Sequence, residues 1–158
     1  MKKLTILCAI CMMILTSISA KAQPDLYKKY ANIPGITKVY ISPSMMKLVG
    51  AAAVSESMGE MDVEVEQLIL KMREMYLIST EDSKVSIDLK NDFDSKIKNK
   101  NVELLMEVAD GDDNIHIYSE SKENLINSIY FFITDSSETV MIIFTGDLKP
   151  DDLAKIIK

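Results

Sequence analysis

The chain has 158 residues, with 18 basic and 24 acidic side chains and a formal net charge of −6 at pH 7. This length is sufficient for one domain with a buried core. An acidic chain is a poor candidate for binding nucleic acid or an anionic membrane surface, because both are recognised through basic patches.

The first 22 residues have the order of a secretory signal peptide. Lysines at positions 2 and 3 precede an apolar run over residues 4–15, and residues 20–22, Ala-Lys-Ala, fit an A-x-A cleavage site. We therefore expect residues 1–22 to be removed and the protein to be exported, to the periplasm or the external medium. An uncleaved anchor is the alternative, but the run is shorter than the roughly 20 residues of a transmembrane helix and the cleavage site is well formed. No transmembrane segment is expected after cleavage.

Both cysteines, Cys8 and Cys11, lie inside this apolar run. A bacterial lipoprotein carries its acylated cysteine after a small residue at the end of the run, whereas Leu7 and Ile10 precede these two, so soluble export is favoured over lipid anchoring. Cleavage leaves 136 of the 158 residues and no cysteine, which excludes disulfides, thiol nucleophiles and thiolate metal sites. It also removes three of the 18 basic residues, which takes the net charge to about −9.

The first elements of the mature chain follow a short leader. Thr37–Ile41 alternates β-branched and aromatic residues, which predicts a strand. Ser42 is a candidate N-cap, and Pro43 suits the first position of a short helix that ends near Val49. Residues 50–59 are small and polar, which predicts a mobile connection.

Two helices and a strand are predicted next. Apolar residues at helical spacing predict a helix from about Asp62 to Arg73, with Met72 on its apolar face. Residues 75–80 are predicted to form a short strand. Apolar residues spaced by four over Ser83 to about Lys98 favour a helix there, although the segment is otherwise polar.

The last third of the chain alternates as strands do. Residues 102–108, the turn cluster at 110–114 and residues 115–119 predict a hairpin. Residues 127–134 and 139–145 are nearly unbroken apolar runs and predict a second, central pair of strands. Gly146 is expected to end the sheet, and Pro150 to open a C-terminal helix.

These elements predict a single α+β domain over residues 23–158. Strands cluster towards the end of the chain and helices mostly precede them. This order favours an antiparallel sheet of about four to six strands, with the helices packed mainly on one face.

Three segments carry a family resemblance: residues 39–46 (VYISPSMM), 102–108 (VELLMEV) and 140–148 (VMIIFTGDL). The chain resembles small exported proteins of Bacteroidota that form a domain of unknown function, with a Ser-x-x-Met helix start, an antiparallel sheet and a Gly-x-Leu close. The resemblance implies an exported or lipid-anchored accessory protein without an assigned activity. No functional residue is established for that family, so none is carried over. This chain lacks the well-placed lipidation cysteine that the family often has.

The acid-rich turn at 110–114 is a candidate calcium site. Asp110, Asp112 and Asn114 match positions one, three and five of a calcium loop, and their hard oxygen ligands suit Ca²⁺. An isoleucine stands at position six instead of glycine, and a serine at position twelve instead of glutamate, so an EF-hand is incomplete. A hairpin tip has the same composition without any metal, and that reading is preferred.

Methionine pairs offer a second metal hypothesis. Met58 and Met61 have the M-x-x-M spacing that exported copper proteins use for Cu(I). Met72 and Met75 share this spacing, but Met72 is assigned to the apolar face of a helix. Met106 is assigned to the apolar face of a strand, where methionine is ordinary core filling.

Little in the sequence favours an enzyme. His116 is the only histidine and is expected at the surface, on the polar side of a strand. No nucleophile elbow, phosphate loop or dinucleotide motif is present, and paired carboxylates are too abundant to be informative. Tyr118 and Tyr130 are contact candidates if they face solvent, although tyrosines in strands are more often packed.

We therefore expect an exported, non-catalytic accessory or binding protein, without a cofactor, for an unknown envelope protein or ligand. Exposed sheet faces or edges suit such a role through strand addition or through surface contacts. The alternatives are a protein that responds to Ca²⁺ or Cu(I), and a hydrolase that uses carboxylates.

Overall fold

The computed structural model describes residues 23–48, 71–99 and 101–154. In these ranges the bounded helices are α1 (Asp25–Tyr30), α2 (Ser83–Ile97) and α3 (Pro150–Ala154). Residues 43–48 are also helical. The strands are β1 (Thr37–Ile41), β2 (Met72–Thr80), β3 (Val102–Asp110), β4 (Asp113–Lys122), β5 (Leu125–Thr134) and β6 (Thr139–Leu148). No helix in the described ranges is long and apolar enough to cross a membrane.

The six strands form one antiparallel sheet in the order β1-β2-β6-β5-β4-β3. The predicted α+β class and strand number are confirmed. β5 and β6 lie at the centre, as their apolar runs predict, and β1 and β3 are the two edges. Among the described strands β3 pairs only with β4, so it is a nine-residue edge strand of this sheet.

The two faces of the sheet carry separate apolar clusters. Helices α1 and α2 pack on one face, against buried residues of β2, β5 and β6. The other face carries Ile126, Ile129 and Leu148. Successive side chains of β5 alternate between the two clusters, with Tyr130 in the first and Ile129 in the second. Burial on both faces explains why residues 129–133 of this strand form a continuous apolar run.

Helix α2 confirms the prediction for residues 83–98. The Asp82 carboxylate accepts hydrogen bonds from the backbone N–H groups of Lys84 and Val85, at 2.9 and 3.0 Å, and so caps the helix. Leu89 and Phe93, four residues apart, are 0% and 2% exposed. The spacing by four therefore marks the face that contacts the sheet.

Short loops set the register of the second half of the sheet. Asp110 pairs with Asp113 across a two-residue loop, in which Gly111 has a φ of 62°. This left-handed conformation suits glycine. A second two-residue loop, Glu123-Asn124, joins β4 to β5, and both of its residues have positive φ. This hairpin is not predicted from the sequence, because glutamate is not a typical turn residue.

Several predicted boundaries were wrong. Met72 and Arg73 were assigned to a helix, but they begin β2; the rest of that predicted helix and the connection at 50–59 lie mostly or wholly outside the described residues. The leader contains α1. Gly146 does not end the sheet, since β6 continues to Leu148. A Cβ at Gly146 would lie 2.9 Å from the backbone oxygen of Lys71, so this glycine allows the close approach of β2.

The start of the helix at 43–48 agrees with the prediction. The backbone N–H of Met45 donates to the Ser42 hydroxyl at 3.3 Å, and that of Met46 donates to the Ser42 carbonyl at 2.8 Å. Ser42 is thus the N-cap, and Pro43 is the first helical residue.

Candidate functional site

The edge strand β3 concentrates exposed apolar side chains. Four of the nine exposed large hydrophobic side chains in the described residues lie on it: Leu104 (46% exposed), Leu105 (38%), Met106 (49%) and Val108 (44%). Grouped exposed apolar residues mark interaction surfaces more often than single ones do. We call β3 and its outward side the β3 edge.

The backbone of β3 is available on one side. Among the described residues β3 has β4 as its only neighbour, so its outward N–H and C=O groups face no other described strand. A bulge at Leu105 interrupts the register between Leu104 and Met106. Beyond it, Met106–Asp110 pairs regularly with β4. Bulges and charged residues can protect an edge from pairing, but here a regular five-residue run remains.

Charge changes sign along the β3 edge. Lys98, which is exposed, caps the end of α2 just before β3. The strand ends in the exposed acidic turn that contains Asp110, Asp112 and Asp113. Within the described chain, none of these four residues takes part in an ion pair. The edge therefore has a basic beginning and an acidic end.

A polar cleft of about 300 Å³ lies on the helix-covered face, near the start of α1 and the end of α2. In it, Lys96 Nζ lies 2.9 Å from Glu120 Oε2, and the Tyr130 hydroxyl donates to the same carboxylate. Burial, and then the bond to Glu120, raises the pKa of Tyr130 well above its usual value. Lys96 also lies over the Tyr130 ring, 5.2 Å from its centroid. These groups satisfy one another, which fits a structural role.

A second cleft, of about 270 Å³, holds the only histidine. His116 was expected on the exposed polar side of its strand, but its half-buried side chain lines this cleft on the helix-covered face. His116 Nε2 lies 3.2 Å from Glu107 Oε1. Tyr118 and Asn114 line the same cleft. Ile115 and Ile117 lie on the other face, where Ile117 packs against the second cluster, so both faces of β4 are partly covered.

The tyrosines named as contact candidates are packed in the fold. Tyr130 is 2% exposed and belongs to the core cluster. Tyr118 is partly buried, and its ring lies edge-on to Phe93 with centroids 5.3 Å apart. Neither tyrosine is an exposed contact residue.

The three residues proposed as calcium ligands lie in two different environments. Asp110 and Asp112 lie at the exposed hairpin tip, whereas Asn114 lines the His116 cleft and its amide donates to the Asp112 carbonyl at 3.2 Å. The described residues contain no group of three or more His, Cys, Asp or Glu side chains arranged to hold a metal ion. Met58 and Met61 lie outside the described residues.

Glu74 is an organising residue that sequence reasoning missed. Its carboxylate accepts hydrogen bonds from the hydroxyls of Tyr40 at 3.0 Å, Tyr76 at 3.1 Å and Thr145 at 3.3 Å. Burial, and then the charge of Glu74, raises the pKa of Tyr76. The cluster ties β1 to β2 and β6. No sequence signal connects residues so far apart along the chain.

The predicted core position of Met106 is also wrong, since its side chain is 49% exposed on β3. Alternation identifies the apolar face of a strand, but it does not tell an edge from a centre. The β3 edge is therefore a finding of the structure.

Comparison with known proteins gives a family without an assigned activity. A family model, a domain of unknown function (DUF4252), matches residues 27–156. The chain belongs to the DUF4252 family. The match spans both edges of the sheet and all three bounded helices except the first two residues of α1. No curated protein and no solved structure matches the chain.

Proposed function

We propose that this DUF4252 member is an exported, non-catalytic accessory protein that binds a polypeptide by strand addition at the β3 edge. The observation that carries the proposal is the group of four exposed apolar side chains, distributed over both faces of an edge strand. An added strand would bond to the free backbone groups and cover these side chains.

The proposal of export rests on residues 1–22, which have the order of a signal peptide. The segments that resemble exported Bacteroidota proteins, with Ser42-Pro43-Ser44-Met45 and Gly146-Asp147-Leu148, support the same assignment. Mass spectrometry of the protein recovered from the producing cell and its medium tests it. We expect a chain that begins at Gln23, in the periplasmic or external fraction. A full-length chain in the cytoplasm would contradict export.

The binding role is tested by site-specific photocrosslinking in the producing cell. A photoreactive amino acid replaces Met106 on β3 or, as the matched control, Met45 on the helix at 43–48. The two methionines are equally exposed, at 49% and 48%. We expect a discrete polypeptide adduct from position 106 and none from position 45. No adduct from position 106, or the same adduct from both positions, would contradict binding at β3.

A further inference from the structure

We infer that the polypeptide that occupies the β3 edge is β3 of a second copy of this chain. The inference rests on the proposed function, and it names the partner of the same surface. Antiparallel pairing of the two strands would join the sheets of two copies about a two-fold axis. The strands of each copy would then continue into a sheet of twice the width.

The charge pattern of the β3 edge favours a second copy in this orientation. Lys98 stands before the strand, and the acidic turn with Asp113 stands after it. An antiparallel copy places the basic beginning of each edge beside the acidic end of the other. None of these groups has an ion-pair partner among the described residues of its own copy. Because the two copies are related by a two-fold axis, this contact between a basic beginning and an acidic end would form twice.

One register between the two β3 strands puts facing side chains on the same side of the sheet and keeps like charges apart. With Leu105 treated as the bulged residue, Met106 of one copy can face Met106 of the second copy on the two-fold axis. Residues that face each other then point to the same side of the sheet, as an antiparallel pair requires. Glu103 faces an apolar residue, Val108, and Glu107 faces Leu104, so no two carboxylates lie directly opposite. A register centred on Glu107 would place like charges together and is disfavoured.

The pairing also covers what is exposed on a single copy. Leu104, Met106 and Val108 would each gain a neighbour across the new strand pair. The other edge, β1, is five residues long and has Lys38 within it, so it offers a shorter surface. The β3 edge is therefore the better site for self-association.

The first test is the mass of the protein in solution, measured by light scattering and sedimentation across a concentration series. The protein is produced from its full sequence and purified as the cell processes it. We expect a concentration-dependent dimer. Met106→Lys places two ammonium groups on the axis and is expected to give a monomer, whereas Met45→Lys leaves the dimer unchanged. Circular dichroism verifies that both variants fold. A monomeric parent protein, or a dimer that persists in Met106→Lys, would overturn the inference.

The second test exchanges charges. Lys98→Glu and Asp113→Lys each replace two attractive contacts of a dimer with two repulsive ones, so each is expected to weaken dimerisation by about tenfold at low salt. An equimolar mixture of the two variants is expected to form a heterodimer with affinity near that of the parent protein. High salt should reduce these differences. Weak dimerisation in the mixture, equal to that of each variant alone, would overturn the antiparallel arrangement.

The photocrosslinking result separates this inference from the proposed function. A monomer that forms an adduct with a different protein from position 106 overturns the second copy as partner, while strand addition at β3 stands. A self-adduct from position 106 supports both. Absence of both a dimer and an adduct overturns both.

Discussion

Replacement of Phe93 by alanine should remove the main anchor between α2 and the sheet. The Phe93 side chain is 2% exposed. Its ring stacks on that of Phe132, with centroids 4.7 Å apart and an interplanar angle of 3°. It also contacts the rings of Tyr118 and Tyr130, at centroid distances of 5.3 and 5.8 Å. Truncation therefore leaves three aromatic rings facing a cavity.

The expected loss follows from this burial. Phe→Ala in a packed core typically reduces the free energy of unfolding by about 3–5 kcal/mol. The whole stability of a domain is about 5–15 kcal/mol, so Phe93→Ala should remove a large part of it. The midpoint of thermal unfolding should fall by roughly 10 °C or more.

Ile87 provides a matched control on the same helix. Its side chain is 60% exposed, so Ile87→Ala should change the free energy of unfolding by about 0.5 kcal/mol or less. Urea denaturation followed by circular dichroism measures both variants. Equal losses in the two variants, or a loss below about 1 kcal/mol in Phe93→Ala, would refute the packing of α2 described above.

Two further changes test the carboxylate that links the helices and the contact at Gly146. Asp92 on α2 accepts hydrogen bonds from Lys29 and Tyr30 on α1, and these bonds lower its pKa. Its contribution to stability is thus present above its unfolded pKa of 3.8 and lost as pH falls through the lower folded value. Asp92→Asn should therefore reduce the unfolding temperature at neutral pH and converge with the parent protein in acid. Gly146→Ala should reduce stability by about 1–3 kcal/mol, because the added methyl meets backbone.

For each of these two substitutions, one result would contradict the prediction. Asp88→Asn, on an exposed position of the same helix, serves as the control for Asp92→Asn in thermal scans at several pH values. A difference between Asp92→Asn and the parent protein that persists unchanged in acid would contradict the pKa argument. A Gly146→Ala variant as stable as the parent protein in urea would show that β2 tolerates the methyl group.

Local patterns were sufficient to predict the central strands and α2. Residues 127–134 and 139–145 are nearly unbroken apolar runs because their strands are covered on both faces. The spacing of Leu89 and Phe93 reports one buried helix face. These signals lie within a single element, so the sequence contains them.

Features that depend on distant pairing could not be predicted. The exposure of Met106 follows from the position of β3 at the edge, which the order of six strands decides. Met72 continues a helical spacing in sequence, but pairing with Gly146 draws it into β2. The turn at Glu123 depends on the register of β4 with β5. Each outcome is set by tertiary contacts, which can override local preference.

The structure also explains the Gly-x-Leu segment of the family resemblance. Gly146 admits the backbone of Lys71, and Leu148 is 1% exposed in the cluster on the second face. Both residues serve packing at the end of β6. The segment therefore contributes to the packing of the fold.

Hydrogen exchange of the β3 amides, followed by mass spectrometry at low and high protein concentration, tests the central claim most directly. Pairing at the β3 edge predicts slower exchange in peptides covering Met106–Asp110 as concentration rises, with no change in peptides covering β1. The same peptides in Met106→Lys should exchange at the rate of the dilute protein. Exchange in β3 that is independent of concentration, while the protein associates, would contradict pairing at this edge.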